Sequence, residues 1–338
     1  MIELTRRTAI LSTLLGLGGG LSACAPMVMA PATPDAGFGG PRFEGGSFVS
    51  FDGVRLPLNV WAPEGNPWAV VIALHGVNDY AMAFDDDGKD LAKAGVLTYA
   101  YDQRGFGRAP GRGLWAGERL LTEDLKTAVK IARRDNPGAV IAVLGHSMGG
   151  AVAISAFASA DPPQADRLIL AAPAVWGWSA QPIPNKVALW LGAHIDPAAK
   201  LEPPAWLVER HPASDNFETL RRMGRDKWMI FSTRIDVVYG LVGLMQSALE
   251  KVKLIRTPIL YLYGEHDYFV PKDATIRAVQ QLKPTDRSVY YANGWHLLMR
   301  DLNGDLVRRD MVAYLHDAAG PMPSGAPDLL VGLKPRRG

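Results

Sequence analysis

Nearly uninterrupted apolar runs recur along the chain at 68–74, 96–101, 140–144, 168–172 and 259–263, with stretches of helical length between them. Short runs without polar alternation are what strands covered on both faces require. Residues 288–292 add a further strand, and 47–61 alternate around Asp52 and Gly53, predicting a hairpin. Within 118–132, Leu121, Leu125, Ala128, Val129 and Ala132 fall on one helical face, as do Val307, Met311, Tyr314 and Leu315 near the far end. This order predicts an α/β fold: a mostly parallel sheet with flanking helices.

The rhythm breaks between 178 and 250. That interval has no clear strand but carries Trp190, Trp206, Phe217, Trp228, Phe231, Tyr239 and Met245. It predicts a helical insertion after the sixth strand, dividing a core of 42–177 and 251–319. Its clusters 187–191, 228–231 and 237–242 exceed what so short a segment can bury internally, so some are expected to face the sheet and line an apolar passage. The repeated Pro, Gly and Ala of 24–41 suit a flexible tether, and 320–338 reads as an unstructured tail.

The first residues change the picture of where the protein works. Arg6 and Arg7 precede an uncharged run from 8 to 21, and Leu21, Ser22, Ala23 and Cys24 follow. The run is short and glycine-rich, so a cleaved export signal fits better than a membrane span. The last four residues resemble the bacterial lipoprotein signal, which implies cleavage after residue 23, lipidation of Cys24 and a membrane-anchored, exported protein facing the periplasm or cell exterior. Thr5, Arg6 and Arg7 also resemble a twin-arginine signal, although Ala9 stands where a bulky apolar residue is usual; the export route stays open.

Lys and Arg number 36 against 34 Asp and Glu, giving a net charge of +2. So balanced a chain gives no reason to expect nucleic acid as a partner. Cys24 is the only cysteine, so neither an internal disulfide nor a thiolate metal cluster can form. No metal motif or nucleotide loop appears, and no cofactor is expected.

The candidate chemistry lies at strand ends. Gly145, His146, Ser147, Met148, Gly149 and Gly150 connect an apolar strand to a helix. A serine in so tight a turn needs small neighbours two residues to either side, and its hydroxyl projects above the carboxyl edge of the sheet as a nucleophile. Glu265 and Asp267 close the strand that starts at 259, and His296 follows the one at 288–292, giving the chain order nucleophile, acid, base. His296 is expected to take the Ser147 proton as general base while the carboxylate holds its tautomer. Backbone N–H groups of Val77 and Met148 are the expected oxyanion hole. Of seven histidines, His146 belongs to the turn, His266 adjoins the acid, and His194, His211 and His316 lie outside any motif. His75 ends an early strand and is expected to shape the oxyanion loop.

These residues resemble the α/β-hydrolase superfamily, and within it the monoacylglycerol lipase and lysophospholipase group, over about 43–319. The likeness rests on His75 and Gly76, on 102–107, on 145–150, on 264–271 and on 296–301. It implies Ser147, Asp267 and His296 as the triad, favouring Asp267 over Glu265, with Val77 and Met148 as oxyanion donors. It also implies that 178–250 is a cap admitting acyl chains. Asn78 stands where many relatives have glycine, Ala109 where serine is usual, and Lys227, after Asp226, where many have proline. Asp102, Arg104 and Asp124 read as structural, holding loops and a helix start.

The leading function is therefore a serine hydrolase of lipid-like carboxylic esters, of monoacylglycerol or lysophospholipid type, acting through an acyl-enzyme. The same triad permits a serine aminopeptidase, which an acidic cluster in the cap would favour; Glu202, Glu209, Asp215 and Glu218 are available but lie among basic residues. A noncatalytic lipid-binding lipoprotein is a third reading, opposed by the complete triad.

Overall fold

The computed structural model describes residues 25–333, so Cys24 and the leader expected before it lie outside the described residues. Its strands are β1 (Arg42–Glu44), β2 (Ser47–Val49), β3 (Arg55–Trp61), β4 (Ala69–Leu74), β5 (Val96–Tyr101), β6 (Val140–His146), β7 (Arg167–Ala171), β8 (Lys200–Leu201), β9 (Thr233–Arg234), β10 (Ile259–His266) and β11 (Arg287–Trp295). Nine of them form one sheet in the order β1-β2-β3-β5-β4-β6-β7-β10-β11. The pairs from β5 through β4, β6, β7 and β10 to β11 are all parallel, whereas β1, β2 and β3 pair antiparallel. The carboxyl ends of β4, β6, β10 and β11 therefore open on one edge, where ligands gather in open α/β sheets.

Alternation along β4 shows how the sheet is covered. Val70, Ile72 and Leu74 enter a core cluster with Leu121, Leu125 and Val129 of the helix Gly117–Asp135 and with the helix Met148–Phe157. Ala69, Val71 and Ala73 face the other way, toward Leu91 of the helix Asp85–Lys93 and Met311 and Tyr314 of the helix Gly304–His316. Every residue of Met148–Phe157 is buried, because the helix Ile235–Lys251 packs over it.

The interval 178–250 holds the helices Ile183–Ile195, Ala205–Arg210, Phe217–Gly224 and Ile235–Lys251. It also holds the antiparallel ladder β8–β9, too short for any pattern to announce. Because β1 adds a strand that was not expected, the insertion follows the seventh strand and not the sixth. Its apolar residues divide unequally. Val237, Val242, Leu244 and Met245 are buried toward the core, but Val187, Trp190 and Leu191 face outward, Trp190 with half its surface exposed (51%). The expected inward passage thus takes only part of the apolar content.

Both ends depart from expectation. The stretch 25–41 is no loose tether: Met29 N–H donates to Trp115 O at 2.9 Å, Ala32 N–H to Asp52 Oδ2 at 3.0 Å, and the Met29 side chain packs on the core. At the other end, Tyr290 N–H on β11 donates to Pro327 O at 2.9 Å, Ser288 Oγ donates to Asp328 Oδ2 at 2.5 Å, and Leu329 is fully buried. The tail as far as 333 is an ordered cover, ending in the short helix Leu329–Gly332. The physical reason is the position of β11 at the sheet edge, where backbone donors and acceptors need partners and Pro-rich chain can supply them.

Candidate active site

β6 ends at His146, and Ser147 turns the chain into the next helix with φ 52° and ψ −118°, an uncommon conformation for a residue with a side chain. The surroundings enforce it. A Cβ at Gly145 would stand 2.6 Å from Gly149 O, and one at Gly149 would stand 2.2 Å from Leu74 O, so only glycine fits at either place. Ser147 N–H donates to Ala171 O at 3.1 Å, and its carbonyl accepts from Gly150 and Ala174, each at 2.9 Å.

The structure brings the three side chains expected from the sequence together. His296 Nε2 lies 3.1 Å from Ser147 Oγ, and its Nδ1 lies 2.9 Å from Asp267 Oδ2. Asp267 Oδ1 accepts from the N–H groups of Phe269 at 2.8 Å and Val270 at 2.9 Å. A carboxylate so placed makes Nδ1 the protonated nitrogen and leaves the Nε2 lone pair toward the serine hydroxyl. All three residues are buried, and Phe269 stacks on the imidazole at 4.9 Å. Glu265, the other carboxylate at this strand end, is engaged by Lys272 and by Tyr290 Oη and lies outside the chain of hydrogen bonds.

The loop after β4 is built around His75. Its Nε2 accepts from Gln103 N–H at 2.9 Å and its Nδ1 donates to Gly76 O at 2.7 Å, a neutral imidazole whose pKa burial pushes down. A Cβ at Gly76 would lie 3.3 Å from Ser147 Cβ, so the loop runs directly past the serine and brings Val77 beside it. Met148 opens its helix, where N–H groups have no intrahelical acceptor. His146 Nε2 donates to His296 O at 3.0 Å, and burial pushes its pKa well below the ordinary value.

Residues 65–303 match the family model described as Hydrolase_4, serine aminopeptidase, S33. The chain belongs to this hydrolase family. Among curated relatives, it is 28% identical to the monoacylglycerol lipase of Mycolicibacterium smegmatis over 80% of this chain and 95% of that one. It is 30% identical to the monoglyceride lipase of Rattus norvegicus over 75% and 84%. The monoacylglycerol lipase of Paleococcus ferrophilus superposes with a TM-score of 0.65 at 20% identity, covering 77% of this chain and 98% of that one. A soluble variant of the Saccharomyces cerevisiae monoglyceride lipase gives 0.67 at 18% identity, covering 86% and 100%. These likenesses show the α/β-hydrolase fold.

In this S33-family hydrolase the cap holds the site by contacts that no local pattern announced. Ser214 Oγ donates to Asp301 Oδ1 at 2.5 Å, Trp295 N–H donates to Asp301 Oδ2 at 2.7 Å, and Leu297 N–H donates to Ala213 O at 2.9 Å. The residues on both sides of His296 are thus fastened, and burial raises the Asp301 carboxyl to about 6. Asp301 belongs to the 296–301 motif but drew no role from the sequence; its partner Ser214 lies 87 positions away. Asn78 takes φ 65°, donates from Nδ2 to Thr233 Oγ1 at 2.7 Å and accepts Ile230 N–H at its carbonyl at 3.0 Å. Asparagine tolerates the left-handed conformation better than most residues, and here adds a side chain that ties this loop to the cap.

Asp102 accepts Ala81 N–H at 3.0 Å and Arg108 N–H at 2.8 Å, and so joins the neighbouring loops. Arg104 pairs with both Asp52 and Asp124, each at 2.7 Å. Asp124 lies in the buried middle of the helix Gly117–Asp135. Among the described residues no group of three or more His, Cys, Asp or Glu is placed to hold a metal ion.

Proposed function

We propose that this hydrolase cleaves carboxylic esters of single-chain lipids, of monoacylglycerol or lysophospholipid type, through an acyl-enzyme on Ser147. The observation that carries it is the unbroken chain from Ser147 Oγ through His296 to Asp267, at 3.1 and 2.9 Å. Ser147 Oγ attacks the ester carbonyl as His296 Nε2 takes its proton, and the N–H groups of Val77 and Met148 hold the oxyanion. The alcohol leaves with the proton from His296. Water, deprotonated in turn by His296, then releases the carboxylic acid.

The names of the relatives favour an ester, whereas the family description names an aminopeptidase. An aminopeptidase needs a carboxylate ready to receive an α-ammonium group. The carboxylates between cap and core are already engaged: Asp79 with Arg300 at 2.5 Å, Asp226 with Tyr80 Oη at 2.5 Å, Asp85 with Lys89 at 2.7 Å. The cap instead exposes Ile183, Val187, Trp190, Ile195, Trp206 and Val208, an apolar surface suited to lipid.

Hydrolysis of a monoacylglycerol, labelling by a fluorophosphonate and poor turnover of aminoacyl amides are the expected results. Ser147→Ala should abolish labelling and lower the hydrolysis rate by at least ~10³-fold with an unchanged circular dichroism spectrum. Undiminished hydrolysis by that variant refutes the assignment, and faster turnover of the amide returns the peptidase reading.

The proposal extends to location. The lipoprotein-like signal ending at Cys24 supports an exported protein held at a membrane by acyl chains on that thiol. Cys24→Ser should move the protein out of the membrane fraction while its rate on a soluble ester stays within about twofold, since the triad does not involve residue 24. Mature protein bearing no lipid on Cys24 by mass spectrometry would count against it.

A further inference from the structure

The loop that follows β4 turns sharply where it must present an oxyanion donor. Asp79 N–H donates to Gly76 O at 3.4 Å, and φ is 65° at Asn78 but not positive at Val77. A four-residue turn with positive φ at its third position alone is of type II, a position that glycine or asparagine accepts most readily. Val77 is the second residue of that turn, so whatever fixes Asn78 also fixes the Val77 N–H. Asn78 carries two costs of its own: the left-handed backbone, and a buried Oδ1 with no hydrogen-bond partner among the described residues. A residue that costs stability twice beside the nucleophile has a role other than stability.

What holds Asn78 is the cap. Its Nδ2 donates to Thr233 Oγ1 at 2.7 Å, and its carbonyl accepts from Ile230 N–H at 3.0 Å. Two positions on, Tyr80 Oη donates to Asp226 Oδ2 at 2.5 Å. The cap strip 226–233 that supplies these partners is braced in turn. Arg112 Nη2 donates to Lys227 O and Met229 O, both at 2.9 Å, Trp228 N–H donates to Asp226 Oδ1 at 2.9 Å, and Thr233 pairs with Leu201 in the β8–β9 ladder. On its other flank the turn is tied to the segment that carries His296, Asp79 pairing with Arg300 at 2.5 Å.

We infer that Asn78 is a positioning residue of the oxyanion hole, and that the cap, through Thr233 and with Tyr80 and Asp226 as a second tie, sets where the Val77 N–H points. This rests on the ester-hydrolase reading and deepens it, giving the cap a part in the chemical step as well as in admitting substrate. The tie acts on the transition state more than on the bound ester, because the oxyanion is where negative charge gathers as Ser147 attacks. Its loss should therefore appear in kcat and not in KM.

The test uses p-nitrophenyl butyrate as substrate and a trifluoromethyl ketone as mimic of the tetrahedral state. Ser147 Oγ adds to the ketone carbon as His296 takes the proton, leaving a hemiketal oxyanion in the same hole. Thr233→Val removes the acceptor and keeps the shape; kcat should fall about tenfold, part of the roughly 10²–10³-fold that deletion of an oxyanion donor costs, with KM within about twofold. Thr233→Ser should restore the rate. Asn78→Gly should fall as far, yet melt within about 2 °C of the parent, since glycine accepts the turn without strain and the unpartnered oxygen is gone. The double variant should be no slower than either single one, because the two changes remove one bond. Tyr80→Phe should lower kcat in the same sense. Across the set, the ketone's inhibition constant, read by competition with a fluorophosphonate, should rise as kcat/KM falls. Unchanged kcat in Thr233→Val and Asn78→Gly, a loss confined to KM, or a rate that falls only in step with melting temperature would overturn the inference. A parent that binds the ketone and takes the fluorophosphonate but turns over only aminoacyl amides would remove the ester reading alone, the ketone series still deciding the positioning role.

Discussion

Asp301 carries the balance of the active-site loop on one buried carboxyl. Burial raises its pKa to about 6, from an ordinary 3.8, against the opposing pull of the Ser214 hydroxyl and the Trp295 N–H. Between those values the folded protein keeps a proton that the unfolded chain has released. Its contribution is therefore complete below about pH 4 and is lost as pH rises through about 6. Asp301→Asn cannot ionise, yet can still accept from Trp295 N–H and donate to Ser214 Oγ. Its stability relative to the parent should rise across that window by up to ~3 kcal/mol, read from urea unfolding at a series of pH values. A difference that does not vary with pH would show that the carboxyl stays charged throughout. At this scale the triad was legible because each member ends a strand that its own neighbours announce. Asp301, Ser214 and Thr233 were not, because their roles exist only after distant segments meet.

Strands and helices read well where burial makes the pattern. The run at 96–101 coincides with β5, and those at 68–74 and 168–172 differ from β4 and β7 by single residues at their ends. All five apolar positions predicted for the first long helix are buried. β1, β8 and β9 escaped notice because two or three residues cannot display a period. Connections between elements escaped too. Arg104, on the loop after β5, reaches Asp52 in the β2–β3 turn and Asp124 in the helix Gly117–Asp135, with all three side chains almost wholly buried. Removing the cation alone leaves two carboxylates desolvated without a partner. Arg104→Met is expected to cost ~3–5 kcal/mol in denaturant unfolding, and adding Asp52→Asn and Asp124→Asn should recover at least half of the loss. If the triple variant were no more stable than the single one, packing rather than charge would be what Arg104 supplies.

For the whole molecule, composition misled at the two ends. Pro- and Gly-rich sequence disfavours a long helix or strand, but it does not exclude an extended cover whose carbonyls and side chains satisfy a sheet edge. The carboxyl-terminal cover should matter to stability and not to chemistry. Ending the chain at Gly320 removes Leu329 and the partners of Ser288, and should lower the melting temperature by about 5 °C, roughly the loss of one buried leucine and its hydrogen bonds. The specific activity of the folded fraction should be retained. Unchanged melting would mean that β11 needs no cover, and the exposed edge would then be expected to draw a second chain.

The amino-terminal stretch has a different consequence. It is fastened at Met29, beside Trp115, whose indole lies against Gly240 of the helix Ile235–Lys251. Met29 follows Cys24 by only five positions, a reach of at most ~18 Å. An enzyme attached through Cys24 is then moored on a short line, not adrift on a long one. It would graze the leaflet that holds it and no other, its turnover following the number of esters per unit area of that leaflet. The same quantity of ester offered in separate vesicles would pass out of range.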